Sequence, residues 1–158
     1  MRFIVTNDLN KSIAIRWMIG GIMVLIILFL TGHLFLEAIQ LGWKPGDILQ
    51  TVAGNEEEFI DPLPFDEILL RAHINLFFAM IVLAITASAY VRIVPSSRRQ
   101  ALPIAVLFST ALIAQISLLL ISLWGMPAVW GWVVTSLLWH TVGGWMALKT
   151  LWYLVHQL

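Results

Sequence analysis

Long runs without charge, separated by short charged segments, set the pattern of this chain. Residues 17–36, between Arg16 and Glu37, form a first uncharged run of 20. Residues 72–91, between Arg71 and Arg92, form a second run of 20. Residues 100–148 carry no charge at all over 49 positions, too long for one bilayer crossing and right for two. A span needs about 20 apolar residues to cover about 30 Å of hydrocarbon. The pattern therefore predicts four helices, at 14–40, 64–94, 101–124 and 127–154. Gly125, Met126 and Pro127 form the turn that divides the third run. The first helix is predicted to be retained rather than cleaved as a leader, because its apolar part is long and no A-x-A-like site follows.

The fold class expected is all-α: an integral membrane four-helix bundle, with residues 1–158 as a single membrane domain. The loop at 41–63 is the one sizeable polar piece. It is rich in turn formers (Gly42, Pro45, Gly46, Gly54, Asn55, Pro62, Pro64) and allows a short helix near residues 45–52.

Composition supports this class. Of 158 residues, 60% are hydrophobic and 11% charged, and the mean hydropathy is +0.91. A soluble domain carries about a quarter charged residues. Net charge is zero, so no basic footprint points to nucleic acid. The absence of Cys excludes disulfides, thiolate metal sites, iron–sulfur clusters and covalent c-type haem. Orientation follows from Lys and Arg. Arg2, Lys11, Arg16, Arg92, Arg98, Arg99 and Lys149 fall on one side, against Lys44 and Arg71 on the other. Both termini are expected to be cytoplasmic, in a bacterial cytoplasmic membrane. Trp43, Trp124, Trp130 and Trp132 are expected at the outer interface, and Trp17 and Trp152 at the inner one.

Ionisable residues inside spans are costly and point to function. Three histidines qualify: His33, His73 and His140. His33 and His73 lie near the outer ends of the first two helices. Those helices are consecutive and antiparallel, and so are expected to be neighbours. Two imidazoles at one depth suit the axial ligation of a haem b in a bundle core. The plain alternative is a hydrogen bond from each His to a neighbouring helix. His73 shares a face with Phe77, Met80, Ala84 and Ala87, whereas Arg71 and Asn75 share another. Arg71, just outside the span, is placed to meet haem propionates or simply to snorkel. Glu37 is a candidate partner for the second imidazole N–H of His33, or a ligand with His33 and His73 to a non-haem metal. His140, on a stripe with Ser136, Gly143, Gly144 and Ala147, is a haem ligand in place of His33, a ligand to a second cofactor, or a partner of Gln115. Counted from Pro127 it lies about 20 Å down its helix, deeper than the other two.

The second helix reads Leu70-Arg71-Ala72-His73-Ile74-Asn75-Leu76-Phe77, then Ile85-Thr86-Ala87-Ser88-Ala89-Tyr90-Val91. It resembles the second helix of the catalytic subunit of heme–copper oxidases, in the C-type and nitric-oxide-reductase branch. The resemblance implies that His73 ligates a low-spin haem b. The paired copper-ligand histidines and the His-x-His helix of that family are missing, so the relative implied is haem-only, without an oxygen or nitric oxide reduction centre.

The function expected is that of a membrane b-type cytochrome subunit. It would pass electrons between quinol and a redox partner on the outer face, inside a larger complex, rather than act as a complete enzyme. The acidic loop would attract a basic c-type cytochrome. The alternatives are a non-catalytic accessory subunit of a membrane enzyme and a His/Glu metal-binding membrane protein. Reporter fusions at residue 55 and at the C-terminus are expected on opposite sides of the membrane; the same side for both would overturn the four-span topology.

Overall fold

A computed structural model of the chain describes residues 13–95 and 100–156. It holds five α-helices: α1 (Ile13–Leu41), α2 (Pro45–Ala53), α3 (Phe65–Ile93), α4 (Ala101–Trp124) and α5 (Met126–His156), with a 3-10 turn at Glu56–Glu58. The boundaries predicted for the four long helices fall within two residues of these. The short loop helix is α2. Arg2, Lys11, Arg98 and Arg99, which enter the charge asymmetry, lie outside the described residues.

Local chemistry explains the ends. Pro45 opens α2 as its first residue, where a missing N–H costs nothing. Asp66 and Glu67 sit in the first turn of α3, where the helix dipole favours negative charge. Val94, held extended by Pro95, ends α3. Gly125 turns α4 into α5 alone, at φ 60° and ψ −134°, a backbone state open to glycine. In the loop, Asn55 and Ile60 exchange backbone hydrogen bonds of 2.8 and 2.9 Å. Gly54, at φ 82°, closes this turn so tightly that a Cβ would lie 2.9 Å from the Pro62 ring.

Helices α1, α3 and α4 are each long and apolar enough to cross a membrane. With their outward apolar side chains, such as Leu25, Phe77 and Leu102, they identify the chain as a membrane protein. Helix α5 is not among these three, although it is 31 residues long; its five Trp, three Gly and Lys149 dilute the aliphatic run.

The helices do not pack in sequence order. Helix α5 is the centre of the bundle: it packs most extensively on α4, then on α1, then on α3. Helices α1 and α3, expected as close neighbours, touch little. The physical reason lies in their connections. One glycine joins α4 to α5 and forces them together, whereas α1 and α3 are joined through residues 42–64, long enough to leave their spacing free. Part of that connection, α2, buries Ile48 and Val52 and packs on α5 and α4 beyond the end of α1.

Close approach at α5 depends on its small residues. A Cβ on Gly143 would lie 3.2 Å from Leu30 Cδ1 of α1 and 3.4 Å from Leu107 Cδ1 of α4. A Cβ on Gly144 would meet nothing within 4 Å. Gly143→Leu is therefore expected to overpack this contact and cost about 1–3 kcal/mol. Gly144→Ala is expected to be neutral or to stabilise by up to about 1 kcal/mol through helix propensity. Thermal unfolding of the two purified variants in one detergent checks the contrast.

Candidate functional site

Among the described residues, eight polar or charged ones are buried: Glu37, Asn75, Thr86, Thr110, Gln115, Ser136, His140 and Thr150. The three threonines are satisfied locally, each hydroxyl donating to the carbonyl four residues back at 2.7–2.8 Å. The other five collect around one cavity of about 230 Å³, together with the half-buried His33.

Helical phase brings them there. On α1, Met23, Ile26, Leu30, His33, Glu37 and Leu41 recur at three- and four-residue steps on the inward face. On α3, Ile68, Ala72, Asn75, Ala79, Val82 and Thr86 do the same, and on α5 so do Val129, Trp132, Ser136, His140 and Gly143. His33 and Glu37 thus face inward from α1, Asn75 from α3, and Ser136 and His140 from α5.

One hydrogen-bonded chain links the three helices. His140 Nδ1 lies 2.6 Å from the Ser136 carbonyl and donates to it. His140 Nε2 lies 3.1 Å from His33 Nδ1, with the two rings nearly parallel. His33 Nε2 lies 3.4 Å from Asn75 Oδ1, and Asn75 Nδ2 donates to Glu37 Oε1 at 2.8 Å. Trp139 flanks both imidazoles, 3.7 Å from His140 and 5.7 Å from His33 between ring centroids.

Counting donors shows what this chain holds. The Ser136 and Asn75 carbonyls only accept, so the outer nitrogen of each imidazole carries a proton. The bond between the rings needs one more. Filling every bond in this arrangement takes three protons on the histidine pair, one more than two neutral imidazoles carry. Turning the Asn75 amide over gives a second arrangement with equally many protons: Nδ2 donates to His33, and Oδ1 accepts from a protonated Glu37. Every bond in the chain is made either way. The geometry therefore admits two hydrogen-bonding arrangements of the chain, which differ in the orientation of the Asn75 amide.

The sequence-predicted residues divide sharply. His33, Glu37 and His140 meet here; His73 does not. Its side chain is exposed on the outward side of α3, with Phe77 and Met80. Among the described residues no hydrogen bond or ring contact joins it to His33. The reason is phase: His73 and Asn75 are two positions apart, about 200° around the helix, so facing Asn75 inward turns His73 outward. The depth estimate for His140 is corrected as well. Gly42, just after α1, and Trp132 share a wall of the cavity, because α5 starts further out, alongside α2. His33 lies eight residues before Leu41 and His140 eight after Trp132, so the two arrive at one level.

Other expectations change in detail. Glu37 reaches His33 through Asn75 rather than directly. Arg71 donates from Nη1 to Gln40 Oε1 at 2.6 Å. His140 pairs with His33 and not with Gln115, whose Oε1 is buried and unpartnered. Trp132 and Trp139 are buried, so Trp132 is not a residue of the exposed belt; Trp17, Trp43, Trp124, Trp130, Trp145 and Trp152 are exposed. Among the described residues no three His, Cys, Asp or Glu are gathered as metal ligands would be, so the His33–Glu37–His73 metal set is not formed. As a ligand pair, His33 and His140 stand too close: a metal–nitrogen bond of about 2 Å on each side needs about 4 Å between nitrogens. In this geometry they do not fit a haem iron.

Asn75, Gln115, Ser136 and Trp139 were not singled out as site residues from the sequence. Asn75 carried a usable signal, since it breaks an apolar face of α3 in phase with Ala72 and Ala79. Compared with family models, curated proteins and solved structures, the chain shows no match.

Asn75→Leu is expected to leave Glu37 Oε1 and His33 Nε2 without partners in an apolar interior. Each such orphan costs about 1–3 kcal/mol, so the apparent melting temperature should fall by several degrees. His73→Ala, on the exposed side, should stay within about 0.5 kcal/mol of the parent. Equal losses for the two variants would overturn this assignment of faces.

Proposed function

We propose that the chain is a subunit of a membrane redox complex, in which the Glu37–Asn75–His33–His140 chain takes up and passes the proton that accompanies electron transfer. The single observation behind this reading is the hydrogen-bonded chain itself, buried among apolar helices and able to hold one proton at either end. Ionisable groups at such depth are retained for pathways and relays more than for stability. In this reading α5 is the fourth span, returning from the Gly125 turn beside α4, with both termini cytoplasmic. Ser136, His140 and Thr150 face inward, and lipid meets Trp130, Val134, Leu137 and Leu138.

The loop fits the same reading as a docking surface. Glu56, Glu57 and Glu58 are all exposed on the 3-10 turn, with Phe59 at its tip. Their negative charge would steer a basic redox protein to this end of the bundle.

A second reading keeps the two facing imidazoles as axial ligands of a haem b. It is favoured by their origin on two different helices at one level. It requires the rings to part by about 1 Å from their hydrogen-bonded separation.

Infrared difference spectra of the purified protein in lipid, recorded across a pH step, test the first reading. A buried carboxyl band is expected to be lost in Glu37→Gln, displaced in Asn75→Leu, and unchanged in His73→Ala. The same spectra in Glu37→Gln as in the parent would overturn it. A reduced-minus-oxidised visible spectrum on the same samples tests the second. Haem bands that vanish in both His33→Ala and His140→Ala, and persist in His73→Ala, would support haem ligation by this pair.

A further inference from the structure

The cavity has more polar capacity than its own side chains use. Three buried polar atoms of residues that line it have no hydrogen-bond partner: Glu37 Oε2, Gln115 Oε1 and Trp139 Nε1. Their residues are only 6%, 5% and 2% exposed. Left unmet, each orphan costs about 1–3 kcal/mol. Two of the three accept and one donates. An occupant that satisfies them offers two donors and at least one acceptor.

The rest of the lining narrows the class. Most of the wall is apolar or aromatic, with Ile48, Val133 and Trp132 among its residues. A cavity of about 230 Å³ has room for a substituted six-membered ring but not for a large cofactor. Phe35, Trp43 and Leu137 line it and are also exposed on the outside of the bundle, so the cavity reaches the bundle surface, on a side that is apolar at Phe35 and Leu137. A ligand that combines an aromatic ring, two hydroxyls and an apolar tail meets each of these conditions.

We infer that this cavity binds the dihydroxy-aromatic headgroup of a membrane quinol. The hydroxyls donate to Glu37 Oε2 and Gln115 Oε1, Trp139 Nε1 donates to a ring oxygen, and the tail leaves between Phe35 and Leu137. The oxidised quinone has no O–H to offer either acceptor and binds more weakly. Glu37, the proton-holding end of the buried chain, then contacts the ligand directly. This inference rests on the reading of that chain as a working site. Its test measures affinity alone, so it can fail while the infrared signal of Glu37 stands, and the reverse.

The experiment uses the full chain in lipid nanodiscs, with empty discs as the blank. The probes are decyl-hydroquinone, decyl-benzoquinone and the dimethyl ether of the hydroquinone, which keeps the apolar body and loses both donors. The hydroquinone is expected to bind about tenfold tighter than the ether, the effect of about one hydrogen bond. Gln115→Leu should remove most of that preference. Glu37→Gln, which puts an amide N–H where an acceptor stood, should narrow the gap between hydroquinone and quinone. Ala38→Leu narrows the cavity without touching its polar atoms, and should abolish binding while helicity is kept. Equal affinity for hydroquinone and ether, or no binding above empty discs, would overturn the inference and leave the cavity to water.

Discussion

The structure depends on one constraint: polar groups taken into an apolar bundle must find each other. Glu37, Asn75, His33 and His140 come from three helices, and each bonds to a side chain on another helix. Separating them leaves buried polar atoms without partners, whereas an aliphatic contact can shift at little cost, because lipid-facing and core-facing apolar surfaces are nearly equivalent in a membrane. Dispersion contacts hold the helices together; this chain of hydrogen bonds sets their rotation and their level. The outward face of His73 and the inward face of Asn75 are two sides of the same choice.

The central position of α5 makes the convergence possible. Gly125 pins it to α4, and Gly143 lets α1 and α4 come within contact of its backbone side. Helix α2, lying against its first turns, sets it about two turns further out than the end of α1. That offset brings His140 level with His33. A bundle with its helices in sequence order would have left the two histidines apart and paired each with a lone carbonyl.

A hydrogen-bonded chain that is complete in two proton arrangements differs from one that only stabilises. In the second kind, every donor and acceptor has one assignment, and the protein gains rigidity. Here the Asn75 amide can be reversed without losing a bond, and the proton count is the same before and after. The adjoining cavity adds what a closed network lacks: an opening at the bundle surface, and buried acceptors with no protein partner. In the proposed reading, proton storage and ligand access belong to one site, placed where the buried polar groups of the described residues are concentrated.

The sequence determined the helices on its own. Runs of 20, 20 and 49 uncharged residues, with Gly125 and Pro127 inside the last, set number, length and ends within two residues. Those features are local: hydropathy, proline and glycine act on the residues around them. The three histidines within uncharged runs were also legible as unusual, because an ionisable group in an apolar run needs no tertiary knowledge to be noticed. Which of them meet was not legible. Pairing depends on helix rotation and axial offset, and both are set by contacts between segments far apart in the chain: α2 on α5, Leu30 against Gly143, Asn75 reaching Glu37. Counting residues from each helix end measures depth only if the helices start level, and α5 does not start level with α1. Only the tertiary structure could decide that His140, rather than His73, faces His33.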